Sequence, residues 1–149
     1  MPLHKSLLDQ VRERANHQCE YCHYPEILST APLSIDHLLP RSLGGTDELD
    51  NLALACRRCN ERRYNFTKAL DPATGVEIPL FNPRYQRWAD HFIWSADALQ
   101  IIGTTPTGRA TCQRLDLNDS RRADKFIQRS RQQWLQSGWH PPKSDPRQN

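Results

Sequence analysis

The sequence predicts an α+β protein, and three observations predict it. Four of the five cysteines fall in two Cys-x2-Cys pairs, Cys19 with Cys22 and Cys56 with Cys59, separated by the 33 residues 23–55. Within that interval two short apolar runs flank a Gly44–Gly45 loop, the pattern of two strands. Amphipathic spacing of the helical kind precedes the first pair and recurs near the C-terminal end.

The elements follow in order. Ser6 followed by Asp9 resembles a capping box, and Leu7, Leu8, Val11 and Ala15 share one face, which predicts a helix over about 6–16. After Pro32, residues 33–39 alternate at first and carry Ile35, predicting a strand that Pro40 ends. The apolar run Leu52–Ala55, after Asp50 and Asn51, predicts the second strand of a hairpin that returns the chain to Cys56. A helix is expected over about 57–69, broken by Asp71, Pro72 and Gly75. From Val76 onward there is no cysteine pair, but all four tryptophans lie here (Trp88, Trp94, Trp134 and Trp139), so this half reads as a packed extension. Its last helix carries Ala123, Phe126, Ile127 and Trp134 at helical spacing, after the cap-like Asn118, Asp119 and Ser120 and before Gly138. The expected organisation is residues 1–70 as the cysteine-bearing unit, 76–138 as the extension and 139–149 as a disordered tail.

Composition bounds the function. With 149 residues, 37% of them hydrophobic, there is material for one small domain and not for two large ones. A quarter of the residues are charged, mean hydropathy is −0.79, and no apolar run approaches the ~18 residues of a membrane span. The N-terminal MPLHKSLLDQVRER lacks the apolar stretch and cleavage site of a secretory signal, so a soluble, cytoplasmic protein is expected. The net charge of +3 is mild, but residues 57–68 set Arg57, Arg58, Arg62, Arg63 and Lys68 against Glu61 alone.

Two residues between cysteines let a tight turn aim both sulfurs at one point, and two such turns complete a tetrahedron around Zn²⁺. Redox or disulfide pairs are the rival reading, which a reducing compartment disfavours. With four thiolates no coordination position stays open for water, so this zinc is structural and hydrolytic chemistry needs another centre. His17 and His23 flank the first pair but are not needed as ligands. Cys112 stands alone and is assigned no chemistry.

The second centre is sought in SIDHLLPRSLGGTDELDNLALACRRCNERR. Asp36 and His37 sit together on the first strand, Asn51 at the head of the second, and Asn60 early in the following helix. In a strand-loop-strand-helix arrangement Asp36 and Asn60 can offer a hard divalent ion two oxygen ligands, leaving the rest of its sphere to water and phosphate. An imidazole at His37 can take a proton from water attacking phosphorus. Asn51 would hold the loop and orient that imidazole.

These residues resemble the HNH endonuclease family, whose ββα-metal (His-Me) finger is commonly built between two CxxC knuckles. Asp36, His37 and Pro40 stand in its DHxxP motif, Asn51 in LDNL at the central asparagine, and Asn60 in CRRCN at the last motif position. Many members carry histidine there; asparagine also occurs, including in the HNH domain of RNA-guided CRISPR nucleases, and a carboxamide oxygen tilts the expected ion toward Mg²⁺ or Mn²⁺. The match covers about residues 11–64. The extension, with LFNPRYQRWADHFIW and GTTPTGRAT, is similar to segments that follow HNH modules in bacterial proteins.

The resemblance implies a zinc-stapled finger that hydrolyses nucleic-acid phosphodiester bonds, DNA first, leaving 5′ phosphates. It makes His37 the general base and Asp36 and Asn60 the ligands of the catalytic cation. Arg41, Arg57, Arg58, Arg62 and Arg63 then become candidates for gripping backbone phosphates, against the ordinary reading of a solvated helix face. The rival function is a zinc-knuckle module that binds nucleic acid or protein without cutting. A third is a nuclease finger that works only with a partner. Asp90 and His91, embedded among aromatics, are read as structural.

Overall fold

The computed structural model describes residues 3–138. The tail expected over 139–149, Trp139 with it, lies outside the described residues. Helix α1 spans Lys5–Arg14, one residue ahead of Ser6, and His4 rather than Ser6 caps it: the His4 ring accepts from the Ser6 N–H. Val11 and Ala15 are buried as the periodicity requires. Arg14, at the end of α1, donates to the carbonyls of Leu49 and Leu52 at 2.8 and 2.6 Å and so ties the helix to the head of the second strand.

Strand β1 (Ser34–His37) pairs antiparallel with β2 (Leu52–Ala55), placing Asp36 opposite Ala53 and His37 opposite Leu52. The predicted strand is shortened at its far end because Leu38 and Leu39 leave the ladder to bond Asn51. All four residues of β2 are buried, the mark of a strand covered on both faces. Helix α2 follows as Arg57–Arg63 only. It stops at Tyr64, whose φ of 46° leaves helical space, and the expected last turn is instead strand β3 (Lys68–Leu70), paired with β4 (Glu77–Pro79). A turn competes with the helix here: the Asp71 carboxylate accepts from Ala73 N–H, the Thr74 hydroxyl and, at 2.9 Å twice, the Arg109 guanidinium.

The extension adds the hairpin β5 (Phe92–Trp94) and β6 (Ile101–Gly103), helix α3 (Pro106–Leu115) and helix α4 (Phe126–Gln136). Helix α4 is the predicted last helix but starts only after Lys125, leaving Ala123 and the cap-like Asn118, Asp119 and Ser120 outside it; α3 was not foreseen. Thr105 caps α3 through its hydroxyl and Pro106 opens its first turn. Gly108 stands inside that helix because α3 and the β5–β6 hairpin approach so closely that a Cβ would fall 1.9 Å from the His91 carbonyl oxygen.

A single apolar core runs from α1 and the cysteines through β2 to Phe81, Trp88, Phe92, Ile101 and Leu117. Trp88 stacks on Phe92 at 5.1 Å and approaches His23 at 4.2 Å, while its indole N–H donates to the Tyr21 carbonyl. The extension therefore places its largest fully buried side chain directly on the first cysteine turn. Glu20 links the halves again, accepting from Leu54 N–H at 2.8 Å and pairing with Arg84. Among the described residues no helix is long and apolar enough to cross a membrane.

Candidate active site and metal centre

The four cysteines converge. Their sulfurs all lie within 4.8 Å of one another, with Cys22 and Cys56 at 3.6 Å. Zn–S bonds of about 2.3 Å arranged tetrahedrally set sulfurs about 3.8 Å apart, so the cluster is near the spacing a zinc needs. Each pair is built by the same local device, the second cysteine's N–H pointing at the first sulfur: Cys22 N–H to Cys19 Sγ at 3.5 Å and Cys59 N–H to Cys56 Sγ at 3.4 Å. Neither His17 nor His23 belongs to the cluster. His17 sits 3.3 Å from Glu26, and His23 is packed on Trp88. Cys112 is apart as well, its thiol pushed up to about 12 by burial and therefore unreactive at neutral pH.

Because Asn60 directly follows Cys59, the same helix that closes the sulfur cluster carries the last motif residue. The other motif residues stand at the far end of the hairpin. Asn51 staples the connecting loop at three points: its Oδ1 accepts from Leu39 N–H at 2.8 Å, and its Nδ2 donates to the carbonyls of Leu39 and Thr46 at 3.0 and 2.9 Å. Gly45 is obligatory at this staple, since a Cβ would fall 1.7 Å from the Leu39 carbonyl oxygen. These three bonds tie Asn51 to both sides of the loop. The imidazole itself has a different partner.

His37 Nε2 lies 2.8 Å from Asp47 Oδ1, and Arg41 Nε donates to the same oxygen at 2.9 Å. Arg41 and His37 hold the Asp47 carboxyl below the usual carboxylate range, so it is ionised and can only accept. In the neutral ring Nε2 must then carry the hydrogen, which leaves the lone pair on Nδ1, an atom with no hydrogen bond to a described residue. Sequence reasoning passed over Asp47. Its signal was a carboxylate inside the loop that Asn51 closes, four residues before that asparagine.

Asp36, next to His37, faces the interior and is 3% exposed. The Tyr21 hydroxyl donates to its Oδ2 at 2.6 Å and Arg63 to its Oδ1 at 3.1 Å. Burial pushes this carboxyl above its ordinary range, and Arg63 and Tyr21 pull it back. Arg63 lies one helical turn beyond Asn60, so both occupy the α2 face turned toward β1. The Asn60 side chain makes no hydrogen bond to a described residue. Among the described residues the cysteines form the only group of three or more Cys, His, Asp or Glu side chains close enough together to share one metal ion.

The arginines are placed differently from a phosphate-gripping patch. Arg63 is buried, donating to Asp36 and to the carbonyls of His37 and Leu38, and so holds the end of β1 in place. Arg58 and Arg62 pair with Asp116 and Asp119 of the extension at 3.5–3.9 Å. The local positive balance counted along the sequence is thus met by carboxylates more than fifty residues away. Arg57, with Glu61 at 2.8 Å, and Arg41 are the two that remain at the surface. His91 is 2.6 Å from the Thr105 hydroxyl and edge-on to Phe81, a structural placement.

Comparison with known proteins agrees with this arrangement. Residues 19–66 match the HNH endonuclease family, a span that contains both cysteine pairs, Asp36, His37, Asn51 and Asn60. The chain is also similar to a CRISPR-associated endonuclease Cas9 of Corynebacterium diphtheriae, 39% identical over 81 residues. That likeness covers 51% of this chain but 7% of the Cas9 protein. No solved structure matches. The two cysteine turns, the paired strands and the short helix between residues 19 and 66 are accordingly the part of the chain that is similar to an HNH endonuclease domain.

Proposed function

We propose that this chain is a divalent-metal-dependent endonuclease that hydrolyses phosphodiester bonds of DNA, with His37 as general base. The observation that carries the reading is the His37–Asp47 contact, which leaves Nδ1 as the one ring atom able to accept a proton. Water then attacks phosphorus and gives its proton to His37 Nδ1, the bond from phosphorus to the 3′ oxygen breaks, and the products carry a 5′ phosphate and a 3′ hydroxyl protonated from solvent. Asp47 keeps the imidazole in the required tautomer and stabilises it once it is charged.

Asp36 and Asn60 are the residues that would hold the cation. Each Asp36 oxygen spends one bond, on Tyr21 or Arg63, and retains a lone pair, and the Asn60 carbonyl oxygen is unspent, a donor set suited to Mg²⁺ or Mn²⁺. Such an ion neutralises the phosphate and the departing oxygen. The sulfur cluster is assigned zinc and no part in the reaction. Arg41 and Arg57 are the candidates to meet backbone phosphate.

The test is cleavage of plasmid DNA with Mg²⁺, Mn²⁺ or EDTA by the native chain and by His37→Ala. Cutting by the native chain with either ion, lost in EDTA and reduced at least 100-fold by His37→Ala, is expected. Equal cutting by both proteins contradicts the base assignment, and no cutting with any ion favours a binding module.

A further inference from the structure

Beside the loop that carries the motif residues lies an open cleft of about 620 Å³, within the size range of small-ligand sites. One wall is that loop, from Leu39 through Gly45 and Thr46 to Asn51; the other is the segment of the extension around Phe81 and Tyr85. Three features define what it can hold.

The first is an aromatic ring with nothing to do inside the protein. Of the four tyrosines, Tyr21 bonds Asp36, Tyr24 packs edge-on to Trp134, and Tyr64 meets Phe66. Tyr85 is 77% exposed, with neither a ring contact nor a hydroxyl partner among the described residues. Its position is nonetheless fixed, because the turn that presents it is braced twice: Asn82 Oδ1 accepts from Arg84 N–H, and Gln86 Oε1 accepts from Asn82 N–H, both at 2.9 Å.

The second feature follows from those braces. Asn82 and Gln86 spend their carbonyl oxygens and keep their NH2 donors, while Glu48 and Asp50 on the opposite side offer acceptors with no hydrogen bond from a described residue. The third is charge. The one cation lining the cleft, Arg63, is consumed by Asp36, so of the charged groups that line the space two carboxylates stand against no free lining cation, although Arg14 behind the loop acts on Asp50. A phosphate is repelled there. A flat, uncharged group with both donors and acceptors on its edge is not.

We propose that the cleft receives one unpaired nucleobase of the substrate strand, stacked on Tyr85, so that the domain prefers DNA with an extrahelical nucleotide next to the bond it cuts. The inference rests on the nuclease reading for its location and adds the substrate class to it. Base-on-aromatic stacking tolerates any base, since every base has a flat face, and the edge groups tune rather than dictate the choice.

The test uses the full chain carrying His37→Ala, so that binding is read without cutting. Two DNA duplexes are compared, identical except that one holds a single bulged 2-aminopurine. Roughly ten-fold tighter binding of the bulged duplex is expected, with the 2-aminopurine fluorescence quenched as its base stacks. Adding Tyr85→Ala removes the preference and the quench; Tyr85→Phe keeps both, because the ring face does the binding. Equal affinity for the two duplexes, as when the cleft serves a peptide instead, overturns the proposal, and so does a preference that survives Tyr85→Ala. Failure of the nuclease reading shows elsewhere, as absence of cutting by the unsubstituted chain on either duplex with Mg²⁺ or Mn²⁺.

Discussion

The two ends of the β1–β2–α2 unit are made of different materials. At one end four buried sulfurs meet at a point, and everything nearby is core. At the other, His37, Asp47 and Arg41 form a partly exposed chain of hydrogen bonds closed by Asn51. The contrast lies in what holds each end: thiols gathered within the core at one, and the hydrogen bonds of a loop at the other.

The largest expected effect lies at the sulfur end. Structural zinc binding is worth about 10–16 kcal/mol, comparable to or greater than the whole stability of a domain. Cys59→Ser is therefore expected to abolish the cooperative thermal transition and to drop metal content below one zinc per chain; a chain that still melts cooperatively would erase the contrast. Next comes the joint between the ends. Arg63→Met strands the buried Asp36 carboxylate and should cost about 3–5 kcal/mol in urea unfolding, with part recovered by adding Asp36→Asn. Full loss with no recovery would mean that Arg63 acts through the His37 and Leu38 carbonyls alone.

The smallest effect on stability, and a large one on rate, belongs to the open end. Asp47→Asn is expected to leave the melting temperature in place while lowering kcat roughly 10- to 100-fold at nearly constant KM. A fall in stability without a fall in kcat would make Asp47 a scaffold residue and blur the two ends into one.

How much of this was legible depended on whether the signal was local. Cysteine spacing, the β2 run and the motif residues are read from a few neighbouring positions, and each stands where the sequence put it. The shortening of α2 was hidden because the Asp71 turn draws its decisive partner, Arg109, from 38 residues away. Helix α3 was not foreseen, and the glycine inside it, Gly108, has its reason in a contact with β5–β6 that sequence neighbours do not show. The basic cluster misled for the same cause, since Asp116 and Asp119 neutralise Arg58 and Arg62 only in three dimensions. Asp36 was visible as a motif residue, whereas its union with Tyr21 and Arg63 was not.

The most direct test of two separate metal roles is one chelator titration followed by zinc analysis, thermal melting and plasmid cleavage on the same samples. Cleavage should fall to background while about one zinc per chain and the melting transition persist, and Mg²⁺ or Mn²⁺ alone should restore it. Cutting that disappears only in step with zinc and the folded state, or that continues after the oxygen-bound ion is gone, would contradict the account.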